Sequence, residues 1–200
     1  AAFEPNRRQE LRQYYFARLK HYAGEEGKIL IDKYPLHTTF VPFIYSLFPD
    51  AHFIFALRHP CDVVLSCFMQ QFVANDAMAN FVNLQSTAQL YSQVMQIWYE
   101  ANVFLNLSIY TVRYEYLVND LEATVRPLLD FLGLGWESTL TDYTATARAR
   151  RRVNTASYHQ VVQPLYNYSS GRWQRYREYL EPVLPVLAPW VEYFGYEPLE

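Results

Sequence analysis

Apolar positions along this chain fall into two textures. In "RRQELRQYYFARLKHYAG" (7–24) aromatic and aliphatic residues recur within a polar, helix-favouring background. That predicts a helix, ended by Gly24. "KILIDKYP" (28–35) is a short apolar run broken by Pro35 and predicts a strand. "TTFVPFIYSLFP" (38–49) predicts a helix with Thr38 as N-cap and Pro42 in its first turns. "AHFIFALR" (51–58) is a nearly continuous apolar run, the texture of a strand buried on both faces of a parallel sheet. A helix is expected from Pro60 to Phe72, with Pro60 and Asp62 suited to its first turn. "MANFVNLQSTAQLYSQVMQIWYEANVFLN" (78–106) predicts a long helical stretch. "LSIYTVRYEYLV" (107–118) opens as a third strand, and "DLEATVRPLLDFLGL" (120–134) is a helix stopped by Gly133.

Strands alternating with helices define an α/β fold with three layers and a central parallel sheet. Beyond Gly135 the texture changes. Residues 144–173 are polar, Arg-rich and poor in periodicity, the signature of a long functional loop. "RWQRYREYLEPVLPVLAPWVEYFGY" (172–196) predicts a helix, a Pro-rich link and a second short helix. No internal repeat or linker interrupts the chain, so residues 1–200 read as a single domain.

Composition narrows the function classes. With 51% hydrophobic and 18% charged residues, the chain should fold rather than remain disordered. A net charge of -3 gives no general attraction to nucleic acid. No apolar run reaches the roughly 18 residues of a membrane span. Cys61 and Cys67 lie six apart on one predicted helix and face different ways, so no bond is expected between them. This favours a reducing, cytoplasmic setting. The opening "AAFEPNRRQE" carries no secretory pattern and no initiator Met, and it reads as a piece of a longer chain.

Ligands of open parallel sheets bind beyond the carboxyl ends of the strands. Asp32 and Lys33, then Arg58, then Arg113 to Glu115 follow the three predicted strands. Arg58 leads directly into a helix, and a guanidinium beside helix N–H groups suits a phosphate or sulfate. Plainer roles exist for each residue: Arg58 a solvated rim charge, Ser66 a small packing residue, Lys33 a partner of Asp32, "RARRR" (148–152) a charged surface, Trp173 core. The histidines lack H-E-x-x-H spacing, so no metal is expected. There is no G-x-S-x-G hydrolase elbow and no G-K-S/T for a nucleotide kinase.

Taken in order, the motifs resemble the sulfotransferase family. The likeness is greatest to bacterial sulfotransferases with tetratricopeptide repeats and to tyrosylprotein sulfotransferases. Asp32-Lys33-Tyr34-Pro35 resembles their D-K-x-P-x-N, and Phe48-Pro49-Asp50-Ala51 their F-P-x-A. Arg58-His59-Pro60-Cys61-Asp62 through Ser66 resembles R-x-P-x-D-x-x-x-S. "RYEYLVNDLEATVRPLLDFLGL" (113–134) and "NTASYHQVVQPLYNYSSGRWQRY" (154–176) resemble two further family stretches.

The resemblance implies a P-loop-like fold that takes a sulfuryl group from PAPS (3′-phosphoadenylyl sulfate) to a hydroxyl acceptor. The acceptor class stays open among a peptide tyrosine, a saccharide and a small alcohol. It implies that Arg58 and Ser66 hold the 3′-phosphate, with Tyr114 near the nucleotide and Tyr166 and Arg172 in a loop that folds over it. Lys33 would stabilise charge on the transferring group, assisted by Ser157. His37 stands where the family has Asn and is the candidate base. The family's strand and G-x-P-R-S-G-T-T loop for the 5′-phosphosulfate have no counterpart in this sequence. The chain is therefore expected to be the C-terminal portion of a sulfotransferase domain, inactive alone. The alternative is a module that binds the product nucleotide PAP without transfer chemistry.

Overall fold

In a computed structural model of the chain, the described residues are 4–23, 29–70, 72, 75–142 and 168–199, with no side chain described over 20–23. They build eight α-helices and two strands, joined by several 3-10 turns. In chain order the elements are α1 (Pro5–Ala23), α2 (Val41–Leu47), β1 (His52–Leu57), α3 (Pro60–Met69) and α4 (Leu84–Phe104). They continue with β2 (Ser108–Arg113), α5 (Tyr114–Asn119), α6 (Leu121–Phe131), α7 (Arg177–Leu180) and α8 (Leu184–Tyr193). The chain forms two compact units, residues 1–53 with 94–108 and residues 54–93 with 109–200. The fold is α/β with a parallel sheet, in which β1 lies beside β2. Two helices intervene between these strands, as a parallel crossover requires.

In the first unit, the aromatic rings of Tyr15 and Phe16 on α1 pack on Phe48, at 5.2 and 5.7 Å between centroids. The Arg12 guanidinium lies over the same Phe48 ring at 5.3 Å. Tyr15 donates its hydroxyl proton to Asp32 at 2.8 Å. Val41 and Leu47 of α2 are buried, as are Val94, Met95, Trp98 and Ala101 on one side of α4. Spacings of three and four place the α4 residues on a common face.

Residues 29–34 depart from the sequence expectation. They form no strand, and Ile29 and Ile31 stay 57% and 73% exposed. An apolar run has strand-like composition, but a strand exists only where a neighbour completes its hydrogen-bond ladder. The following helix also begins earlier than Thr38. A 3-10 turn starts at Pro35, whose fixed φ suits a first helical position, and Tyr34 precedes it as cap. Thr38 instead turns its hydroxyl toward the Pro35 carbonyl.

The core of the second unit is built by α3, α4 and the C-terminal helices. Cys61, Val64 and Leu65 on α3 meet Ala88, Trp173, Leu180, Val183, Leu187 and Val191. The i, i+3, i+4 spacing on α3 gives the apolar stripe that this packing needs. Trp190 donates its indole N–H to the Ser92 hydroxyl at 2.9 Å, satisfying a polar atom that burial would otherwise strand. The segment expected as helix, Pro-rich link and helix is instead a nearly continuous series of turns and helices from Arg172 to Tyr193. Pro182 and Pro185 sit in first turns, where a missing N–H costs nothing.

β1 is not buried on both faces. Its residues alternate, with His52, Ile54 and Ala56 on the exposed side. The apolar run gave the strand correctly but not its cover. Cys61 and Cys67 are both free thiols. Among the described residues no helix is long and apolar enough to cross a membrane, and no group of His, Cys, Asp and Glu could hold a metal ion. Residues 143–167, which include "RARRR" and most of the predicted loop, lie outside the described residues.

Candidate functional site

The strand β1 ends at Leu57 and α3 begins at Pro60, so Arg58 and His59 form the junction. The proline has no N–H to leave unpaired, which makes it a good first helical residue. His59 caps the helix: its Nδ1 accepts the Cys61 N–H at 3.2 Å. The neutral ring therefore carries its proton on Nε2. Its plane stacks on Trp173 at 5.0 Å, and the edge of Tyr196 meets it at 4.7 Å. Burial drives the His59 pKa down to about 4. Glu115 opposes that shift, whereas Arg58 and Arg113 add to it.

Arg58 is held on three sides. Its Nη2 donates to the Ser169 carbonyl at 2.6 Å. Its guanidinium lies over the Tyr114 ring at 4.9 Å and stands 3.9 Å from the Asp62 carboxylate. The Nε is buried and makes no hydrogen bond among the described residues. A buried donor left this way costs about 1–3 kcal/mol, so it favours any acceptor that can reach it. Tyr114, which follows β2, shares a hydrogen bond with the Ser169 side chain. Burial raises the Tyr114 hydroxyl pKa, with Arg58 and that bond working against the rise.

Asp62 lies on the first turn of α3 and is almost wholly buried. Its Oδ2 accepts the Gly171 N–H at 2.8 Å, and its Oδ1 accepts the Trp173 N–H at 2.8 Å. Both donors come from the "SSGRW" turn. Gly171 has φ 67, a left-handed conformation that a side chain would strain. Burial pushes the Asp62 carboxyl above its ordinary pKa, while the two N–H donors and Arg58 draw it back.

The end of β2 closes the arrangement. Glu115 accepts the His59 backbone N–H at 2.9 Å and the Tyr196 hydroxyl at 3.0 Å. Arg113 lies over the Tyr196 ring at 4.2 Å and donates to the Phe194 carbonyl.

Of the eight candidate residues, Arg58 and Tyr114 are in direct contact. Ser66 is exposed on α3, four residues past Asp62 and so on the same face. Arg172 belongs to the same C-terminal turn as Gly171, with its guanidinium over Tyr176 at 5.7 Å. Lys33 and His37 belong to the first unit. Lys33 is exposed, and His37 is half-buried with its ring edge on Tyr34 at 5.4 Å. Ser157 and Tyr166 lie outside the described residues.

One expectation changes. The Cys61 N–H of α3 is consumed by His59, so this helix N-terminus does not offer that donor to an anion. Sequence reasoning gave no site role to His59 or Tyr196, read Asp62 only as an acid in a first helical turn, and read Glu115 only as part of the rim beyond the third strand. A polar residue immediately before Pro60 was a readable N-cap signal for His59. Nothing local marks Tyr196, whose partners Glu115, Arg113 and His59 are 81 or more positions away.

The sulfotransferase family model matches residues 3–138, a span that includes Arg58, Ser66 and Tyr114. The chain belongs to the sulfotransferase family. A protein of Aquifex aeolicus (strain VF5), described as uncharacterized, is 32% identical over 179 residues, covering 88% of this chain and 23% of its own length. The chain thus spans less than a quarter of that relative. The sulfotransferase domain from the curacin biosynthetic pathway is similar in structure, with a TM-score of 0.60 at 16% identity, over 94% of this chain and 69% of that one. At that identity the likeness is one of fold.

Two outcomes follow from this geometry. Replacing Asp62 by Ala leaves the part-buried Gly171 N–H and the buried Trp173 N–H without an acceptor and should lower unfolding free energy by about 3 kcal/mol, read by urea denaturation. A loss below about 1 kcal/mol would show that the C-terminal turn does not depend on Asp62. For His59 the folded pKa lies below the unfolded one, so the unfolded chain binds more protons between about pH 4 and 6.5. Stability should therefore be fully present above pH 6.5 and fall as pH drops toward 4. His59→Asn keeps a capping oxygen without a titrating ring and should remove about 3 kcal/mol of that pH dependence. Identical stability–pH curves for the two proteins would exclude His59 as the titrating group.

Proposed function

We propose that this chain is the part of a PAPS-dependent sulfotransferase that holds the 3′-phosphate end of the donor. The observation that carries the reading is the buried Nε of Arg58 at a strand–helix junction, which makes no hydrogen bond among the described residues. A phosphate oxygen is the acceptor that such a donor lacks, and a guanidinium can offer it a second N–H as well. Ser66 supports the reading, with an exposed hydroxyl on the α3 face that also carries Asp62. Tyr114 would flank the nucleotide, and the turn bearing Arg172 would close over it together with Tyr166. When bound, PAPS supplies the sulfuryl group and departs as PAP.

The chain's own part in transfer is positioning and charge neutralisation, as in phosphoryl transfer. Lys33 is the proposed point charge for the equatorial oxygens, and Ser157, which lies outside the described residues, is the proposed hydroxyl donor. His37 is the proposed base for the acceptor hydroxyl, whether on a peptide tyrosine, a saccharide or a small alcohol.

A second reading is a module that binds PAP without transfer. It is supported by the membership of Arg58, Ser66 and Tyr114 in one compact unit, whereas Lys33 and His37 belong to the other. The two readings separate in one pair of measurements on the full-length protein, calorimetric binding of PAP and sulfuryl transfer from labelled PAPS to phenolic and sugar acceptors. Binding with no transfer to any acceptor would favour the module.

Arg58→Ala should weaken PAP binding by about 2 kcal/mol or more, roughly thirtyfold, read by calorimetry. Unchanged affinity would remove Arg58 from the site. In the full-length protein, Lys33→Ala should lower kcat well beyond its effect on the donor Kd, because a charge that meets only the transferring group acts in the transition state. Equal losses in both would make Lys33 a binding residue.

A further inference from the structure

Glu115 uses both carboxylate oxygens on structure. One accepts the His59 N–H at 2.9 Å, and that N–H belongs to the peptide joining Arg58 to His59. The other accepts the hydroxyl of Tyr196 at 3.0 Å, from 81 positions downstream. Tyr196 is itself braced. Its ring lies under the Arg113 guanidinium at 4.2 Å and meets the His59 ring at 4.7 Å. Arg113, the last residue of β2 and two positions before Glu115, ties back to the Phe194 carbonyl.

The orientation of the Arg58–His59 peptide decides how the Arg58 side chain leaves the backbone. A peptide plane held by a charged acceptor has far less freedom than one facing water. We propose that Glu115 is a positioning residue for Arg58, and that Tyr196 is the C-terminal latch that holds Glu115 in place. The consequence for nucleotide affinity rests on the function proposed above; the consequence for Arg58 itself does not. With both oxygens engaged, the Glu115 carboxylate serves orientation rather than uptake of a substrate proton.

The decisive variant is Tyr196→Phe in the full chain. It removes one hydroxyl and leaves the ring that packs on Arg113 and His59. Glu115→Gln is the partner variant, since an amide offers one acceptor where two are used. The first readout is the Arg58 Nε–H resonance in a proton–nitrogen spectrum, assigned by its disappearance in Arg58→Lys. The second is calorimetric affinity for adenosine 3′,5′-bisphosphate.

Both variants should shift the Arg58 Nε–H signal and speed its exchange with water. Each should weaken bisphosphate binding about three- to tenfold, the effect of one hydrogen bond. The double variant should bind about as well as the weaker single one, because both changes act through one carboxylate. Trp190→Phe loses the bond to Ser92 in the same unit and serves as the purely structural control. It should lower Tm while leaving the Arg58 signal and the affinity unchanged.

An unaltered Arg58 resonance in folded Tyr196→Phe would overturn the proposal. So would a matching change in the Trp190→Phe control. Should the parent chain not bind the bisphosphate at all, the nucleotide reading falls, and the Arg58 resonance still decides whether Glu115 positions it. Should Glu115→Gln fail to fold, Tyr196→Phe alone decides.

Discussion

The second unit is organised around a buried carboxylate that accepts two backbone N–H groups. Asp62 sits on the first turn of α3 and takes the Gly171 and Trp173 amides, each at 2.8 Å. Moving a carboxylate out of water costs several kcal/mol, and only well-aligned donors offset that. Here the donors are fixed by a left-handed glycine and a short turn, so the carboxylate and the turn specify each other. This joint ties the C-terminal turn to the start of α3. Trp173 comes to rest on the His59 ring, and the Ser169 carbonyl comes within reach of Arg58. The core below α3 then forms, as Leu180, Leu187 and Val191 close on Cys61 and Val64.

The local parts of this arrangement were legible in the sequence. "FALRHPCDVV" reads as a strand, a basic junction and a helix started by proline, and each appears where the pattern puts it. The helices were legible because their periodicity and punctuation are carried within a few residues. What was not legible depends on distant partners. Residues 29–34 have strand composition without a ladder, and the apolar run of β1 did not say which of its faces would be covered. Burial is a property of the neighbours, and the chain does not encode it in any one window.

The site divides along the same line. Arg58, Ser66 and Tyr114 came from motif resemblance, and a family model over residues 3–138 supports the family behind it. Their orientation comes from residues that no motif singled out. Asp62 looked like an ordinary acid in a first helical turn, a position where the dipole alone would explain it. Glu115 looked like part of a rim. Only the fold shows that each is an acceptor for a segment far along the chain, and that the C-terminal turn is as much a part of the site as the strand ends.

The charges around Arg58 explain how an anion could be chosen. Arg58 and Arg113 are matched by Asp62 and Glu115, and His59 is kept neutral by burial. A protonated His59 would add a third cation but lose its cap, since Nδ1 could no longer accept the Cys61 N–H. The fold thus gives up a positive charge for a fixed helix start. The result is a nearly balanced set of charges around Arg58 on a chain of net charge -3, with little field to draw anions from a distance. Under the proposed function, recognition rests on direction: a guanidinium held on three sides, with a buried Nε that makes no hydrogen bond among the described residues. That requirement is why the braces behind Arg58 matter. A flexible arginine would bind many anions weakly, whereas one fixed by Ser169, Tyr114 and its own peptide can discriminate by geometry.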